Sequence, residues 1–180
     1  MVQVSQFWKH AQKLKTEQRK GWRKLPLKRV ESVADHSFGL ALLVMLEAER
    51  RHYDVERALR LALIHDLEEA ITGDLTPDDK RILGEKRVRD AKRKAIEELL
   101  VALPLKSRGR YRRLWTDLRL GRTREARLVR DLDRFEMALQ AKAYEKRVGA
   151  ERVADFYESA KRGISDPTLA RELESFIETG

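Results

Sequence analysis

Apolar residues recur at helical spacing along almost the entire chain, and this pattern limits the choice of fold more than any other feature. No segment alternates apolar and polar residues in the way that marks a half-buried strand. We therefore predict an all-α protein with about seven to eight helices, forming a single domain over residues 1–180. The helices are expected near residues 4–14, 33–52, 54–71, 79–103, 107–120, 123–148, 150–162 and 167–178.

Turn and capping residues define several of these boundaries. Asp54 is a candidate N-cap for the third helix, and Gly73 ends that helix. Asp166 followed by Pro167 starts the last helix, because proline tolerates the first helical turn, where no amide donor is needed. The segment 79–103 is interpreted as one continuous helix, with Ile82 among its core positions.

The composition excludes several classes of protein. Hydrophobic residues make up 42% of the 180 residues, which is enough for a packed core. Cysteine is absent, so disulfides, thiolate metal ligands and cysteine nucleophiles are all excluded. No apolar run is long enough for a membrane span or for the core of a secretory signal. We therefore expect a cytoplasmic protein without membrane partners.

The positive charge is concentrated near the N-terminus. The formal net charge is +9, and residues 1–30 hold nine lysine and arginine residues against one acidic residue. One interpretation is a set of solvated helix faces, and another is attraction of a ligand that carries phosphate. A basic module that binds nucleic acid is a weaker alternative, because the chain after residue 30 is nearly neutral.

Two histidines and several acids lie in apolar surroundings, where a buried polar side chain needs a partner. His36 follows the start of the second helix, His65 directly precedes Asp66, and a later apolar helix contains Asp131 and Asp133. Either histidine alone is commonly a hydrogen-bonded core residue, whereas metal coordination would satisfy the whole set. This mixture of nitrogen and oxygen ligands suits one divalent transition metal ion (Mn²⁺, Co²⁺, Fe²⁺, Ni²⁺ or Zn²⁺) better than Ca²⁺.

The order of these residues resembles the H…HD…D signature of the HD-domain superfamily of metal-dependent phosphohydrolases. Their context is more specific and is similar to that in the YfbR-like 5′-deoxynucleotidases and their archaeal and eukaryotic relatives. The resemblance covers about residues 5–147, and the C-terminal helices over 150–179 add nothing specific to it. The matching segments, in chain order, are Arg19-Lys20-Gly21-Trp22, Glu31-Ser32-Val33-Ala34-Asp35-His36, His65-Asp66-Leu67-Glu68-Glu69-Ala70, Thr72-Gly73-Asp74-Leu75-Thr76-Pro77 and Asp131-Leu132-Asp133-Arg134-Phe135-Glu136-Met137.

This resemblance implies a helical HD-domain enzyme that hydrolyses deoxyribonucleoside 5′-monophosphates to deoxyribonucleosides and phosphate. It implies one bound divalent metal ion, a small-molecule nucleotide as substrate and a homodimer. The implied metal ligands are His36, His65, Asp66 and Asp133, with Asp131 as a nearby alternative to Asp133. Because fold does not fix substrate, another nucleotide is the alternative: a cyclic nucleotide, a phosphodiester or a triphosphate.

The resemblance also implies roles for four further residues. Glu69 corresponds to the catalytic glutamate, Asp74 to an acid near the phosphate, and Trp22 to a tryptophan that lies against the sugar. Some bacterial members have an arginine directly before that tryptophan, where this chain has Gly21, so Arg19 is the candidate for phosphate contact. The structural alternatives are a surface ion pair for Glu69, a turn or N-cap for Asp74, and a core or dimer anchor for Trp22.

Overall fold

The computed structural model describes residues 4–179, and within that range it contains only helices, turns and loops apart from one isolated β-bridge between Gln18 and Ser32. The prediction of an all-α protein is confirmed. The α-helices are α1 (Val4–Leu14), α2 (Val33–Arg50), α3 (Val55–Ile64), α4 (Glu69–Thr72), α5 (Pro77–Leu83), α6 (Glu85–Val101), α7 (Leu105–Leu120), α8 (Arg124–Val148), α9 (Ala154–Gly163) and α10 (Pro167–Thr179). Two 3₁₀ segments cover Lys20–Lys24 and Ala150–Arg152.

Two of the predicted helices are each divided in two, which is why the described chain has more helices than expected. The segment 54–71 leaves the helix after Ile64, passes through turns and resumes as α4. The segment 79–103 begins earlier, at Pro77, and breaks at Gly84, which adopts φ +81°. A left-handed glycine ends a helix readily because it lacks the Cβ atom that would clash there. The prediction that Ile82 lies in the core is wrong, since it is 81% exposed.

The longest helix, α8, forms the centre of the fold. It packs against α2, α3, α7, α9 and α10, and α2 also packs closely against α3. Small side chains at the contacts allow the helices to approach one another, and these residues are fully buried: Ala48, Ala58, Ala62, Ala126, Ala138 and Ala141. The site described below is therefore built on the most tightly packed helices of the protein.

One helix face is left uncovered. Phe38, Leu42 and Leu46 lie four residues apart on α2, so they share one face of that helix, and all three are exposed. This set is called the α2 stripe below. Across residues 4–179, none of the helices has the length and apolar character needed to span a membrane.

Candidate metal centre and active site

Three helices bring the predicted metal ligands together. The first turn of α2 is fixed by a capping box, in which Ser32 accepts a hydrogen bond from the Asp35 backbone N–H while the Asp35 carboxylate accepts one from the Ser32 N–H. This turn places His36 inside the protein. His65 directly follows the last residue of α3, and Asp133 lies in α8.

The facing atoms of these residues are close enough to share one ion. His36 Nε2 lies 3.2 Å from His65 Nε2 and 3.1 Å from Asp133 Oδ1. His65 Nε2 is in turn 3.0 Å from Asp66 Oδ2. Two ligands bound at right angles, each about 2.1 Å from the same ion, lie about 3.0 Å apart. His36, His65 and Asp66 therefore have the spacing of neighbours around a single metal ion. Asp133 joins them through its contact with His36.

The outer nitrogen of each imidazole has its own partner. His65 Nδ1 lies 2.7 Å from the Ala62 carbonyl oxygen, and His36 Nδ1 contacts the Glu136 carboxylate. The carbonyl of Ala62 can only accept, so His65 Nδ1 must donate its hydrogen to it. Both contacts favour the tautomer in which Nε2 carries the free lone pair, and this is the form of histidine that binds a metal.

The electrostatics of the cluster favour bound positive charge. Burial opposes the charged form of His65, but the carboxylates of Asp66 and Asp133 raise its pKa to about 9. Despite its burial, the pKa of Asp66 is held well below its usual range, chiefly by His65 and then by Arg19. The proton that His65 retains beside these carboxylates can be exchanged for a divalent cation. The chemistry of these side chains thus fits the metal ion implied by the sequence.

Glu69 lies beside the cluster, at the first residue of α4. It is 5% exposed, and its Oε2 atom has no hydrogen-bond partner among the described residues. Burial, followed by the nearby charge of Asp66, raises the pKa of Glu69 to about 9. Its cationic neighbour is Lys92, whose Nζ atom is 3.7 Å from Glu69 Oε1 and 2.8 Å from Glu68 Oε1. One buried carboxylate oxygen of Glu69 is therefore available to a ligand.

Arg19 lies beside the cluster, and Asp74 contacts the residue that follows Arg19 in the chain. Arg19 Nη1 is 3.6 Å from Asp66 Oδ2, so the guanidinium lies beside the predicted metal ligands. Burial opposes its charge, but Asp133 and Asp66 raise the pKa of Arg19 above its usual value. Asp74 Oδ2 accepts a 2.5 Å hydrogen bond from the Lys20 backbone N–H. Asp74 therefore ties its own loop to the segment that carries Arg19.

Trp22 is placed differently from the other predicted site residues. Its side chain is 1% exposed, and its ring packs against Phe156 and edge-on against Tyr144. Its indole Nε1–H donates a 2.7 Å hydrogen bond to Glu31 Oε1. Trp22 is thus connected to the site through Glu31, which also lies 3.9 Å from Arg19 Nε. This environment is the one expected for a core residue.

Asp131, the alternative ligand on α8, is held elsewhere. Its carboxylate accepts hydrogen bonds of 3.0 Å from the backbone N–H groups of Ser165 and Asp166, and the Ser165 hydroxyl donates to the same group. These contacts connect α8 to the turn before α10. The structure therefore brings Asp133, rather than Asp131, to His36.

Three residues at the site were given no role from the sequence: Glu31, Lys92 and Glu136. Lys92 carried a usable signal, because it occupies the apolar stripe of α6 with Val88, Ala95 and Leu99, where a lysine requires a buried partner. Glu136 lies three residues after Asp133 and shares its helix face. Glu31 lies in a loop, where periodicity gives no information about its surroundings.

The chain matches the sequence profile described as HD domain over residues 11–174. It therefore belongs to the HD-domain family, and the resemblance noted from its motifs is confirmed. The protein named 5′-deoxynucleotidase HDDC2 from Xenopus laevis is 35% identical over 176 residues, covering 96% of this chain and 85% of the relative. The human protein of the same name is 34% identical and covers 94% of this chain and 84% of the relative.

Solved structures agree with this family membership. A Pyrococcus horikoshii protein has a TM-score of 0.79 and 29% sequence identity, covering 98% of this chain and 97% of its own. A protein described as a predicted metal-dependent phosphohydrolase from Magnetospirillum magnetotacticum has a TM-score of 0.73 and 25% identity. That match covers 99% of this chain and 95% of the other. The whole helical arrangement, including the C-terminal helices, is thus shared with these proteins.

Proposed function

We propose that this protein is a divalent-metal-dependent 5′-deoxynucleotidase, which converts deoxyribonucleoside 5′-monophosphates to deoxyribonucleosides and phosphate. The observation that carries the proposal is the convergence of His36, His65, Asp66 and Asp133 beside the buried Glu69. Relatives that carry the name 5′-deoxynucleotidase, from vertebrates to yeasts, support the substrate class. The ion belongs to the group Mn²⁺, Co²⁺, Fe²⁺, Ni²⁺ and Zn²⁺.

The reaction requires a nucleophile that can approach an anionic phosphate. When bound, a divalent metal ion offsets the charge of the phosphate, lowers the pKa of a water molecule and favours the ionised form of Glu69. Glu69 Oε2 lies beside the cluster and has no hydrogen-bond partner within residues 4–179, and we assign it the proton of the attacking water. As the new bond to phosphorus forms, the bond to the 5′ oxygen breaks, and that oxygen takes a proton from solvent.

Arg19 is the proposed partner of the phosphate. Its guanidinium is charged, lies beside Asp66 and can donate two parallel hydrogen bonds to phosphate oxygens. Asp74 supports this role, because its hydrogen bond to the Lys20 backbone N–H holds the adjoining residue. The surface of Trp22 is covered by Phe156 and Tyr144. Trp22 is therefore proposed to disfavour a 2′-hydroxyl indirectly, by shaping the wall of the site behind Arg19.

The protein is further proposed to act as a homodimer in the cytoplasm, as one domain over residues 1–180. The α2 stripe is the surface proposed to be buried between the two copies, because its three large apolar side chains are exposed on one face of one helix. A chain without cysteine needs no oxidising compartment, which supports the proposed location. The concentration of positive charge around Arg19 suits a nucleotide better than a long nucleic acid.

The test is phosphate release from dAMP by the purified protein, loaded with Mn²⁺ or Co²⁺ and compared with and without EDTA. Asp66→Ala should lose both the metal and the activity, because a ligand is removed. Glu69→Ala should retain the metal while turnover falls by about 10²–10⁴, the usual contribution of a positioned base. The proposal fails if EDTA leaves the rate unchanged or if the metal-loaded enzyme releases no phosphate from any deoxyribonucleoside 5′-monophosphate.

A further inference from the structure

The carboxylate of Glu136 contacts the outer nitrogen of a predicted metal ligand. Glu136 lies on α8, and its Oε2 atom is paired with His36 Nδ1 on α2. The His36 side chain is completely buried and that of Glu136 is 10% exposed, so little water competes for this contact. The other ring nitrogen, Nε2, faces Asp133 and His65. His36 is thus held from behind by one acid while it faces the cluster.

We propose that Glu136 is the positioning residue for His36, and that it sets the affinity of the centre for its divalent ion. As an acceptor at Nδ1, it keeps the hydrogen on that nitrogen and leaves the Nε2 lone pair directed toward the cluster. It also fixes the rotation of the ring and makes Nε2 a stronger electron donor. This inference rests on the proposed metal site, but it concerns ion binding and not the choice of nucleotide.

The sequence makes room for this carboxylate at Gly39. A Cβ atom built at Gly39 would lie 2.9 Å from Glu136 Oε1, which is too close for this oxygen to remain in place, and 3.5 Å from Glu136 Cγ, which is an ordinary contact. Gly39 lies inside α2 and is not among the positive-φ glycines, so its backbone does not require glycine. A glycine inside a helix is less favourable than an alanine. The clearance for Glu136 is the feature that accounts for this residue.

A purely structural role for Glu136 gives different expectations. If Glu136 only joined α8 to α2, its removal would lower the stability of the metal-free protein and leave the affinity for an added ion unchanged. If Glu136 positions His36, removal weakens ion binding whether or not the metal-free protein is destabilised. Ion affinity and metal-free stability must therefore be measured separately on the same variants.

The experiment titrates Co²⁺ into the metal-free full-length protein and follows the visible absorption of the bound ion. Glu136→Gln keeps the size of the side chain but lacks the negative charge, and it should weaken Co²⁺ binding by about 10–100-fold. Glu136→Asp retains a carboxylate and should recover part of the affinity. Asp131→Asn is the matched control, because Asp131 is a buried acid of the same helix that contacts Ser165 and Asp166 instead. It should lower the unfolding temperature without weakening Co²⁺ binding.

Substitution of Gly39 provides an independent test by the same Co²⁺ titration. Gly39→Ala should weaken Co²⁺ binding by displacing Glu136, whereas Gly39→Ala combined with Glu136→Ala should bind Co²⁺ no more weakly than Glu136→Ala alone. The inference is overturned if the wild-type protein fails to bind Co²⁺, if Glu136→Gln binds it as tightly as the wild type, or if the effects of the Gly39 and Glu136 changes simply add. Loss of Co²⁺ affinity in Glu136→Gln, with no dAMP hydrolysis by the wild type, would refute the proposed substrate and leave this inference standing.

Discussion

Replacing Glu69 with glutamine should stabilise the metal-free protein even though it removes the proposed base. Glu69 is buried, its Oε2 atom lacks a hydrogen-bond partner within residues 4–179, and Lys92 approaches its other oxygen only to 3.7 Å. A buried carboxyl that must stay protonated lowers stability above its unfolded-state pKa, by about 1.4 kcal/mol for each pH unit. Glutamine retains the shape of the side chain but cannot ionise, so it avoids the cost of keeping the Glu69 carboxyl protonated in the folded protein.

The effect should depend on pH in a defined direction. Burial, and secondly Asp66, raise the pKa of Glu69 from 4.5 to about 9 in the folded protein. Because this folded-state pKa exceeds the unfolded value, the stability linked to Glu69 is complete below about pH 4.5 and is lost as the pH rises toward 9. We therefore expect Glu69→Gln to be more stable than the wild type at pH 8 by up to about 5 kcal/mol, at about 1.4 kcal/mol for each pH unit above 4.5, and nearly equal to it at pH 4.5.

The assay is urea unfolding in EDTA at these two pH values. Glu68→Gln is the matched control, since Glu68 is also buried but has a direct 2.8 Å ion pair with Lys92, which the substitution removes. Its gain in stability at pH 8 should be smaller than that of Glu69→Gln, or it should be a loss. The reasoning is refuted if Glu69→Gln is no more stable than the wild type at pH 8, or if its gain is the same at both pH values.

Three further outcomes are expected. Lys92→Met should lower the free energy of unfolding at pH 8 by about 1–3 kcal/mol, because it leaves two buried acids without their cation. Lys92→Arg should restore part of this loss in the same urea assay. Leu42→Glu, on the α2 stripe, should convert a dimer into a monomer in sedimentation velocity runs. Trp22→Ala should lower the free energy of unfolding by about 3–5 kcal/mol. It should also decrease the ratio of kcat/KM for dAMP to kcat/KM for AMP. An unchanged ratio would make Trp22 a packing residue only.

The sequence pattern predicted the helical class and most boundaries because apolar spacing and capping residues act locally. The prediction of helix boundaries failed where one glycine or one capping box interrupts a long repeat of apolar residues. The apolar spacing predicted a continuous helix over 79–103, whereas Gly84 divides that segment. The same prediction missed the capping box of Thr76 and Asp79, with which α5 begins at Pro77. Residues 65–68 form turns and not a helix, because His65 contacts His36 and Asp66 contacts Arg19, which are distant in sequence. Periodicity carries no information about such contacts.

Helix geometry alone predicts which acidic residues of α8 lie on the same face. Each residue turns a helix by about 100°, so Asp131 and Asp133 differ by about 200° and lie on nearly opposite faces. Asp133 and Glu136 differ by about 300°, which places them within about 60° of each other. One face therefore presents Asp133 and Glu136 to the two nitrogens of His36, and the other presents Asp131 to the turn before α10. This rotation alone would have separated Asp131 from Asp133 and paired Glu136 with the proposed ligand. What it could not supply is the identity of the facing residue, because His36 is 97 residues away from Asp133 along the chain.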